Sequence, residues 1–302
     1  MDYADAVEVF YNPKPDDAPD PVLPVTPERR LRDALEPIAM HAVWSRAVNE
    51  ALAGHGYDFF NGYLTGRASV LGDVPSAVVA ATFGVFDPGT VDAVWTAGRA
   101  VLPLPELIRV RDAATVASLR ETLAGVAKED EVAAVATALE DAAAPLDVTA
   151  RPLFAALRAQ PRLDDAFGRL WRATDVVREH RGDSHLAACI AAGLDPVRMG
   201  ILAETWLGYP VGEYSGTRAW AAETHAAAVA RLEADGLLAG GRITDAGRTL
   251  RERIETDTDT AQAGLVAAID DLDGVIARLE PWSARCVEAG AFPPDPRKRA
   301  AG

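Results

Sequence analysis

Residues 223–248 decide the fold; they read ETHAAAVARLEADGLLAGGRITDAGR. Apolar residues recur here at three- and four-residue spacing, which predicts a helix with one buried face. The members of that face are Ala222, Ala226, Val229 and Leu232. Gly236 follows the last apolar turn, and glycine readily takes the left-handed conformation that ends a helix. The first part of the stretch therefore predicts a helix that stops at a defined residue.

A tight hairpin is predicted directly after this helix. Gly240-Gly241 is typical of a two-residue hairpin turn because both positions tolerate positive φ. It separates two short strands, predicted at Leu237-Leu238 and Arg242-Ile243. Thr244 is a good N-cap for the helix that follows. The stretch as a whole predicts helix, hairpin and helix in that order.

Two runs in this stretch resemble the MarR-type winged helix. Residues 231–238, RLEADGLL, resemble the end of its recognition helix, and residues 244–248, TDAGR, resemble the start of its dimer helix. From about Leu31 to Pro293 the chain also resembles an uncharacterised actinobacterial winged-helix family. That second resemblance is carried by NGYLTGRA (61–68), RPLFAA (151–156), REHRGDSH (178–185) and EPW (280–282). The resemblance implies a helix-turn-helix protein and, by analogy, a homodimer formed through the closing helices at 251–276.

The charge of the predicted recognition helix disfavours DNA binding. From residue 221 to 236 there is one base, Arg231, against three acids, Glu223, Glu233 and Asp235. The short wing adds only Arg242, and the whole chain carries a formal charge of −15. A helix that enters the major groove normally has the opposite balance. We therefore expect weak or no DNA binding, with Arg231 and Arg242 as the DNA-contacting candidates.

Helical patterns dominate the rest of the chain. The predicted fold class is all-α, an N-terminal helical domain plus a C-terminal winged-helix-like domain with one short β-hairpin. The predicted domains are a disordered Pro/Asp-rich arm at 1–27, a helical domain with a ligand pocket at 28–195, a winged-helix-like domain at 196–290 and a flexible tail at 291–302. The acidic start lacks the features of a signal peptide, and no apolar run has membrane-spanning length. The expectation is a cytoplasmic protein with no membrane partner.

The densest group of ionisable residues lies at 179–185, EHRGDSH. Its pattern predicts an elbow: a helix ends at His180 and Arg181, Gly182 takes the left-handed cap, and Asp183 caps the next helix. Such an elbow would gather two imidazoles, a guanidinium and a carboxylate at one corner. It could bind a carboxylate or phosphate group through Arg181, with His180 or His185 as a proton carrier. A purely structural capping corner is the alternative.

A metal site at the same corner is not predicted. His180 and His185 are five residues apart across the expected break, whereas helical zinc pairs are four apart. A second part of the ligand site is expected in the aromatic run, where Phe60 and Tyr63 precede Arg67. Helical aromatics can also be plain core. The predicted ligand-binding residues are Arg67, Tyr63, Phe60, His180, Arg181, Asp183 and His185.

Three functions remain open at the level of sequence. The first is a small-molecule-binding winged-helix protein with a regulatory or assembly role and weak or no DNA binding. The second is a ligand-responsive MarR-like transcriptional regulator. The third is an enzyme of specialised metabolism on a reused helix-turn-helix scaffold, with His180, Asp183 and His185 as acid–base residues. No nucleotide-binding loop or nucleophile motif is present, and the sequence identifies no cofactor.

Overall fold

The computed structural model describes residues 2–11, 23, 25–295 and 297 of the 302-residue chain. Within these residues the fold is all-α with one two-stranded antiparallel hairpin, which confirms the predicted class. The helices are α1 (Tyr3–Tyr11), α2 (Pro27–Ala39), α3 (His41–Trp44), α4 (Arg46–Ala53), α5 (Phe59–Ala68), α6 (Ser76–Phe83), α7 (Pro88–Val101), α8 (Leu104–Thr122), α9 (Glu129–Ala143), α10 (Pro152–Arg158), α11 (Ala166–Ala191), α12 (Pro196–Trp206), α13 (Ala222–Ala234), α14 (Asp245–Thr260), α15 (Ala263–Ala267) and α16 (Leu272–Glu288). The strands are β1 (Leu238–Ala239) and β2 (Arg242–Ile243), and 3₁₀ turns lie at Ser69–Leu71 and Ser215–Arg218.

The long helix α11 is the centre of the molecule. Asp165 caps its start by accepting hydrogen bonds from the backbone N–H groups of Phe167 and Gly168. Helices α2, α9 and α10 pack around it, and α16 packs on α2 in the same apolar core. Trp171 is buried in this core and donates its indole N–H to the carbonyl of Ala39. Because α11 is covered on several sides, its different faces pack against different helices.

A second, aromatic core lies between α5, α6 and α7. Gly98 of α7 allows a close approach to α5, since a Cβ atom there would lie 2.0 Å from Oγ1 of Thr65. Trp95, also on α7, is buried and donates its indole N–H to the carbonyl of Val74. Phe60 and Tyr63 of α5 pack against this core.

The hairpin region matches its local sequence signals closely. Gly236 has a φ of +72°, and Gly240 and Gly241 have φ values of +56° and +73°. Leu238 pairs with Ile243, and Thr244 caps α14 by accepting a hydrogen bond from the N–H of Gly247. These features confirm the predicted helix, hairpin and helix, here α13, β1–β2 and α14. We refer to residues 196–260, which add α12, as the winged-helix segment.

The buried face of α13 differs from the predicted one. Ala222 and Ala226 are exposed, whereas Ala228 and Leu232 are buried, with Val229 half-buried beside them. Ala228, Val229 and Leu232 belong to the apolar core that α13 shares with α12 and β1, whereas Ala222 and Ala226 do not. Alanine spacing alone could not distinguish the two faces, since alanines occur on both.

The closing helices return to the N-terminal half of the same chain. Helix α14 packs on α11, and α16 packs on α2. The predicted joint at Asp195-Pro196 is the start of α12, where Asp195 accepts hydrogen bonds from the N–H groups of Val197 and Arg198. The homodimer expected through residues 251–276 stays a prediction.

The predicted elbow at Gly182 is wrong. Helix α11 runs without interruption from Ala166 to Ala191, so Gly182 lies inside it with helical backbone geometry. A glycine inside a helix costs only about 1 kcal/mol relative to alanine, and packing on several sides of α11 outweighs that preference. No helix starts at Asp183, so the predicted role of this residue as an N-cap is also wrong.

The two ends of the chain also differ in part from expectation. Residues 3–11, predicted within a disordered arm, form α1, and Phe10 packs against Trp44 with ring centroids 5.3 Å apart. In the predicted flexible tail, Phe292 is buried and Asp295 accepts a hydrogen bond from the hydroxyl of Tyr209. Most of the remaining arm and tail, residues 12–22, 24, 296 and 298–302, lies outside the described residues.

No single helix in the described part of the chain has both the length and the apolar character needed to cross a bilayer. Helices α11 and α12 meet those criteria only as a pair, and they are bent by 105° relative to each other.

Candidate ligand-binding cavity

A cavity of about 220 Å³ lies where the N-terminal helices meet the winged-helix segment. Its walls come from α2, α3, α5, α6 and α11, from the connection between α12 and α13 (residues 207–221), and from residues 292–293. Nine aromatic side chains line it: Phe10, Trp44, Phe59, Phe60, Tyr63, Phe83, Phe86, Tyr214 and Phe292. This volume is below the roughly 300–1,000 Å³ of drug-sized sites, so it suits a compound of one or two rings.

The aromatic rings meet mostly at steep angles. Phe83 and Phe86 lie edge to face with centroids 6.1 Å apart, and Tyr63 meets Phe86 in the same way. Phe60 and Tyr63 are nearly parallel at 6.4 Å. Edge-to-face contacts hold aromatic side chains in defined orientations.

Two arginines in the wall are neutralised by neighbouring glutamates. Arg67 donates to Glu179 at 2.7 Å and to the hydroxyl of Tyr63 at 2.7 Å. Arg178 donates to Glu179 at 2.8 Å and to Glu36 at 3.0 Å. The four charged groups form one continuous chain across α2, α5 and α11, which fixes the polar side of the cavity.

A third arginine, Arg218, has a different environment. Its guanidinium carbon lies 4.8 Å from the ring centroid of Phe86 and 4.5 Å from that of Tyr214. Among the described residues, its side chain has neither an ion pair nor a hydrogen bond. Its backbone carbonyl accepts a hydrogen bond from the N–H of Asp87 at 3.0 Å, which attaches the α12–α13 connection to the start of α7.

The pKa of the Tyr63 phenol depends on the charged groups of the cavity. Burial alone would raise its pKa, yet the positive charges of Arg67, Arg218 and Arg178 outweigh burial and lower the pKa below the usual value. A phenol ionises more easily only where the surroundings favour negative charge. At Tyr63 the three guanidinium groups therefore outweigh both burial and the nearby Glu179.

Asp183 supplies a carboxyl group to the same cavity. One of its oxygens accepts a hydrogen bond from the backbone N–H of Phe154 at 3.0 Å, at the start of α10. Burial, and then repulsion from Glu179, outweigh that bond and raise the pKa of Asp183 to about 7. Near neutral pH the group exchanges its proton easily, so it can act as either a donor or an acceptor toward a ligand.

His185 connects the cavity wall with α14. One ring nitrogen, Nδ1, lies 3.0 Å from the hydroxyl of Thr258. Burial, with repulsion from Arg251, lowers the pKa of His185 to about 3, so the imidazole is neutral at physiological pH. A neutral imidazole between the cavity and α14 can relay a hydrogen bond but carries no charge to a ligand.

The structure divides the predicted ligand-binding residues into two groups. Five line the cavity: Arg67, Tyr63, Phe60, Asp183 and His185. His180 instead lies against Phe154, with its Nδ1 2.9 Å from the side-chain oxygen of Gln262. Arg181 is buried against α14, where it donates to Glu255 at 2.8 Å and to Asp259 at 3.2 Å. Successive side chains diverge by about 100° around a helix, which explains why neighbours in sequence separate.

The same divergence separates the acid–base set proposed for an enzyme. His180, Asp183 and His185 have partners in three different places: Gln262 between α14 and α15, Phe154 on α10 and Thr258 on α14. Across the described ranges, no group of three or more His, Cys, Asp or Glu side chains is placed to hold a metal ion. Of the three residues, Asp183 and His185 face the cavity and His180 does not.

The candidate DNA contacts lie on the outer surface of the winged-helix segment. Arg231 is 67% exposed and pairs with Asp235, its neighbour four residues on, at 3.2 Å. Arg242 is exposed on β2, next to the two-glycine turn. Glu223 and Glu233 are exposed on the same helix as Arg231. The exposed side of α13 is therefore short-chained and acidic.

Sequence reasoning missed two residues that shape this region. Arg218 has no local motif, because its neighbours Phe86 and Tyr214 meet only in the folded chain. Glu204 of α12 is fully buried, and its carboxylate accepts hydrogen bonds from the N–H groups of Gly212, Tyr214 and Ser215 and from the Ser215 hydroxyl. It holds the α12–α13 connection in place. The run GYPVGEYSG after α12 gives no sign in the sequence of a buried anchor.

Comparison with known proteins agrees with the architecture of the winged-helix segment. No curated protein and no solved structure matches the chain. A family model described as a helix-turn-helix family matches residues 28–293, which include both halves of the molecule and every wall of the cavity except Phe10. The chain therefore belongs to this helix-turn-helix family.

Proposed function

We propose that the protein binds a small ring-containing ligand in the 220 Å³ cavity. Binding changes the winged-helix segment, which has a regulatory or assembly role. The observation that carries the proposal is the origin of the walls. Tyr214, Thr217 and Arg218 come from the connection between α12 and α13, so part of the winged-helix segment is itself a wall of the cavity. A ligand there contacts this segment directly, without an intervening domain.

The contacts of the connection support such coupling. Besides the Asp87–Arg218 backbone bond, the indole N–H of Trp220 donates to the carbonyl of Val85 at 2.9 Å. Ser215 Oγ lies 2.7 Å from Nε2 of His225, which is on the first turn of α13. The connection is therefore bonded to the cavity wall on one side and to α13 on the other. A ligand that shifts the connection would change the position of α13.

Weak or no DNA binding is part of the proposal. The single base on α13 is paired with Asp235, and the exposed acids Glu223 and Glu233 would face the phosphates of a duplex. Repulsion of this kind weakens the counterion-release term that drives most DNA binding. A ligand-responsive transcriptional regulator, the second candidate, is favoured by the exposed position of α13 beside the hairpin.

The ligand part can be tested by native mass spectrometry of freshly purified protein, followed by hydrogen–deuterium exchange with and without the recovered compound. The expected result is one bound small molecule per chain and slower exchange in residues 207–221 when it is present. Exchange that slows only in distant helices would contradict the proposed coupling.

The DNA part can be tested by selection of a random duplex pool at 50 mM and 150 mM salt. We expect no enriched sequence and only non-specific affinity. The double variant Glu223→Lys/Glu233→Lys should then gain affinity and salt dependence, because it removes the repulsion. Glu121→Lys/Asp130→Lys, two exposed acids at the ends of the α8–α9 connection, is the charge-matched control. An enriched sequence bound by the native protein below 1 µM would support the regulator instead.

A further inference from the structure

We infer that the ligand carries an anionic group, such as a carboxylate, and that Arg218 binds it. The inference rests on the proposed function and deepens it by naming the chemical class of the ligand and the residue that selects it. It begins from the difference between Arg218 and the two other arginines of the cavity.

Arg67 and Arg178 already have their anions, supplied by Glu179 and Glu36. Arg218 reaches the cavity without one among the described residues, and its guanidinium lies over the rings of Phe86 and Tyr214. A guanidinium has five N–H donors in a planar fork that matches a carboxylate or phosphate. Two flanking rings leave the edge of that fork as the part available to a ligand.

The position of Tyr63 agrees with this assignment, since Arg218 is one of the charges that lower the pKa of its phenol. Tyr63 is on α5 and Arg218 is on the α12–α13 connection, so the guanidinium acts on a group in another wall of the cavity. Opposite charges attract, and an anionic ring compound would therefore gain from Arg218 an interaction that its neutral counterpart lacks.

Because of where Arg218 lies, the charge of the ligand should affect the α12–α13 connection. Its 3₁₀ turn, Ser215–Arg218, directly precedes α13 and includes Ser215, which both Glu204 and His225 contact. An anion that pairs with Arg218 therefore contacts the winged-helix segment at the α12–α13 connection. A ring compound without the anion could fill the aromatic part of the cavity but would leave this contact unmade.

The test uses matched probes: benzoate, phenylacetate and 2-naphthoate, each beside its own neutral primary amide. Affinities for the full-length protein are measured by calorimetry, and exchange is followed in residues 207–221. At least one carboxylate should bind about 10- to 100-fold more tightly than its amide, since a charge-assisted fork is lost in the amide. Only the carboxylate should slow exchange in the connection.

Arg218→Gln should reduce carboxylate affinity to the level of the amide and leave amide affinity within about twofold, as a charge-specific contact requires. Arg218→Lys should retain part of the affinity because it keeps the charge and loses the fork. Arg253→Gln, an exposed arginine of α14, is the control and should change neither affinity.

Equal binding of a carboxylate and its amide would overturn the inference while leaving the cavity as a ligand site. So would a carboxylate affinity that Arg218→Gln does not change. Binding of none of the six probes would count against both the inference and the proposed function. If Arg218→Gln fails to fold, the comparison of carboxylate with amide on the native protein still decides the question.

Discussion

Adding a side chain at Gly182 should raise the stability of the protein and weaken ligand binding. It lies inside α11 with helical geometry and lines the cavity. A Cβ atom there would meet only Oε2 of Glu179, at an ordinary 3.6 Å. Packing therefore does not require glycine at this point. We infer that its missing side chain keeps the cavity open.

The alanine variant should be more stable than the native protein. Alanine is favoured over glycine inside a helix by about 0.8–1 kcal/mol. With an unfolding entropy of about 2.1 cal/mol/K per residue, a chain of 302 residues has a total of roughly 0.6 kcal/mol/K, so Tm should rise by about 1.5 °C. Gly182→Leu should not add to this gain, and its four carbons should occupy much of the 220 Å³ cavity.

The assay pairs differential scanning calorimetry with titration of the tightest-binding carboxylate among the probes above. Gly182→Ala should raise Tm and weaken binding modestly, and Gly182→Leu should reduce binding at least tenfold, since the ligand and the leucine would share one space. Gly66→Ala is the matched control: Gly66 also lies inside a helix, its added Cβ would meet only Cδ of Arg111 at 3.7 Å, and it does not line this cavity. It should raise Tm without any effect on binding.

Two results would refute the reasoning about Gly182. A fall in Tm for Gly182→Ala would mean that the helix needs glycine for packing or local geometry. Unchanged ligand affinity in Gly182→Leu would mean that the ligand does not occupy this cavity, whatever the effect on stability.

Three further predictions concern other parts of the structure. Glu204→Gln should lower the free energy of unfolding by about 2–3 kcal/mol in urea titrations and speed exchange in residues 207–221, because an amide cannot accept all the hydrogen bonds that the buried carboxylate accepts. Since the pKa of Asp183 rises from 3.8 unfolded to about 7 folded, this group favours the folded state fully below pH 4 and loses that effect as pH rises through 7. Asp183→Asn should therefore gain Tm relative to the native protein between pH 5 and 8, and a constant difference across that range would contradict the shift. Gly98→Ala should cost about 1–3 kcal/mol by calorimetry, because its Cβ would overlap Thr65; an unchanged Tm would show that α5 and α7 can separate freely.

The parts of the fold that sequence predicted are those with short-range causes. The turn at Gly240-Gly241, the end of α13 at Gly236 and the cap at Thr244 each depend on one or two residues and their immediate neighbours. The elbow at Gly182 failed for the opposite reason. Its local signals are those of a helix end, and only the packing of α11 against several distant helices overrides them.

The candidate site shows the same division. Phe60, Tyr63 and Arg67 share one short helix, so their pattern was visible in the sequence. The pairing of Arg218 with Phe86 depends on a contact between residues more than 130 positions apart, for which no local signal exists. The placement of His180 and Arg181 away from the cavity follows from helical periodicity, once the helix is known to continue through residue 182.

The attachments of α14 and of the α12–α13 connection determine where a ligand can act. Helix α14 is held to α2 and α11 by a buried cluster in which Arg29, Arg181 and Arg251 surround Glu255. Breaking such a cluster leaves buried charges unpaired and costs about 3–5 kcal/mol. Residues 207–221 are held to the α6–α7 region by the hydrogen bonds from Asp87 and Trp220, each of which contributes about 1 kcal/mol, and to α12 by the carboxylate of Glu204. The attachment of the connection to the α6–α7 region is weaker than the attachment of α14 to α11, so the response should be a movement of the connection and α13 relative to a fixed α11–α14 pair.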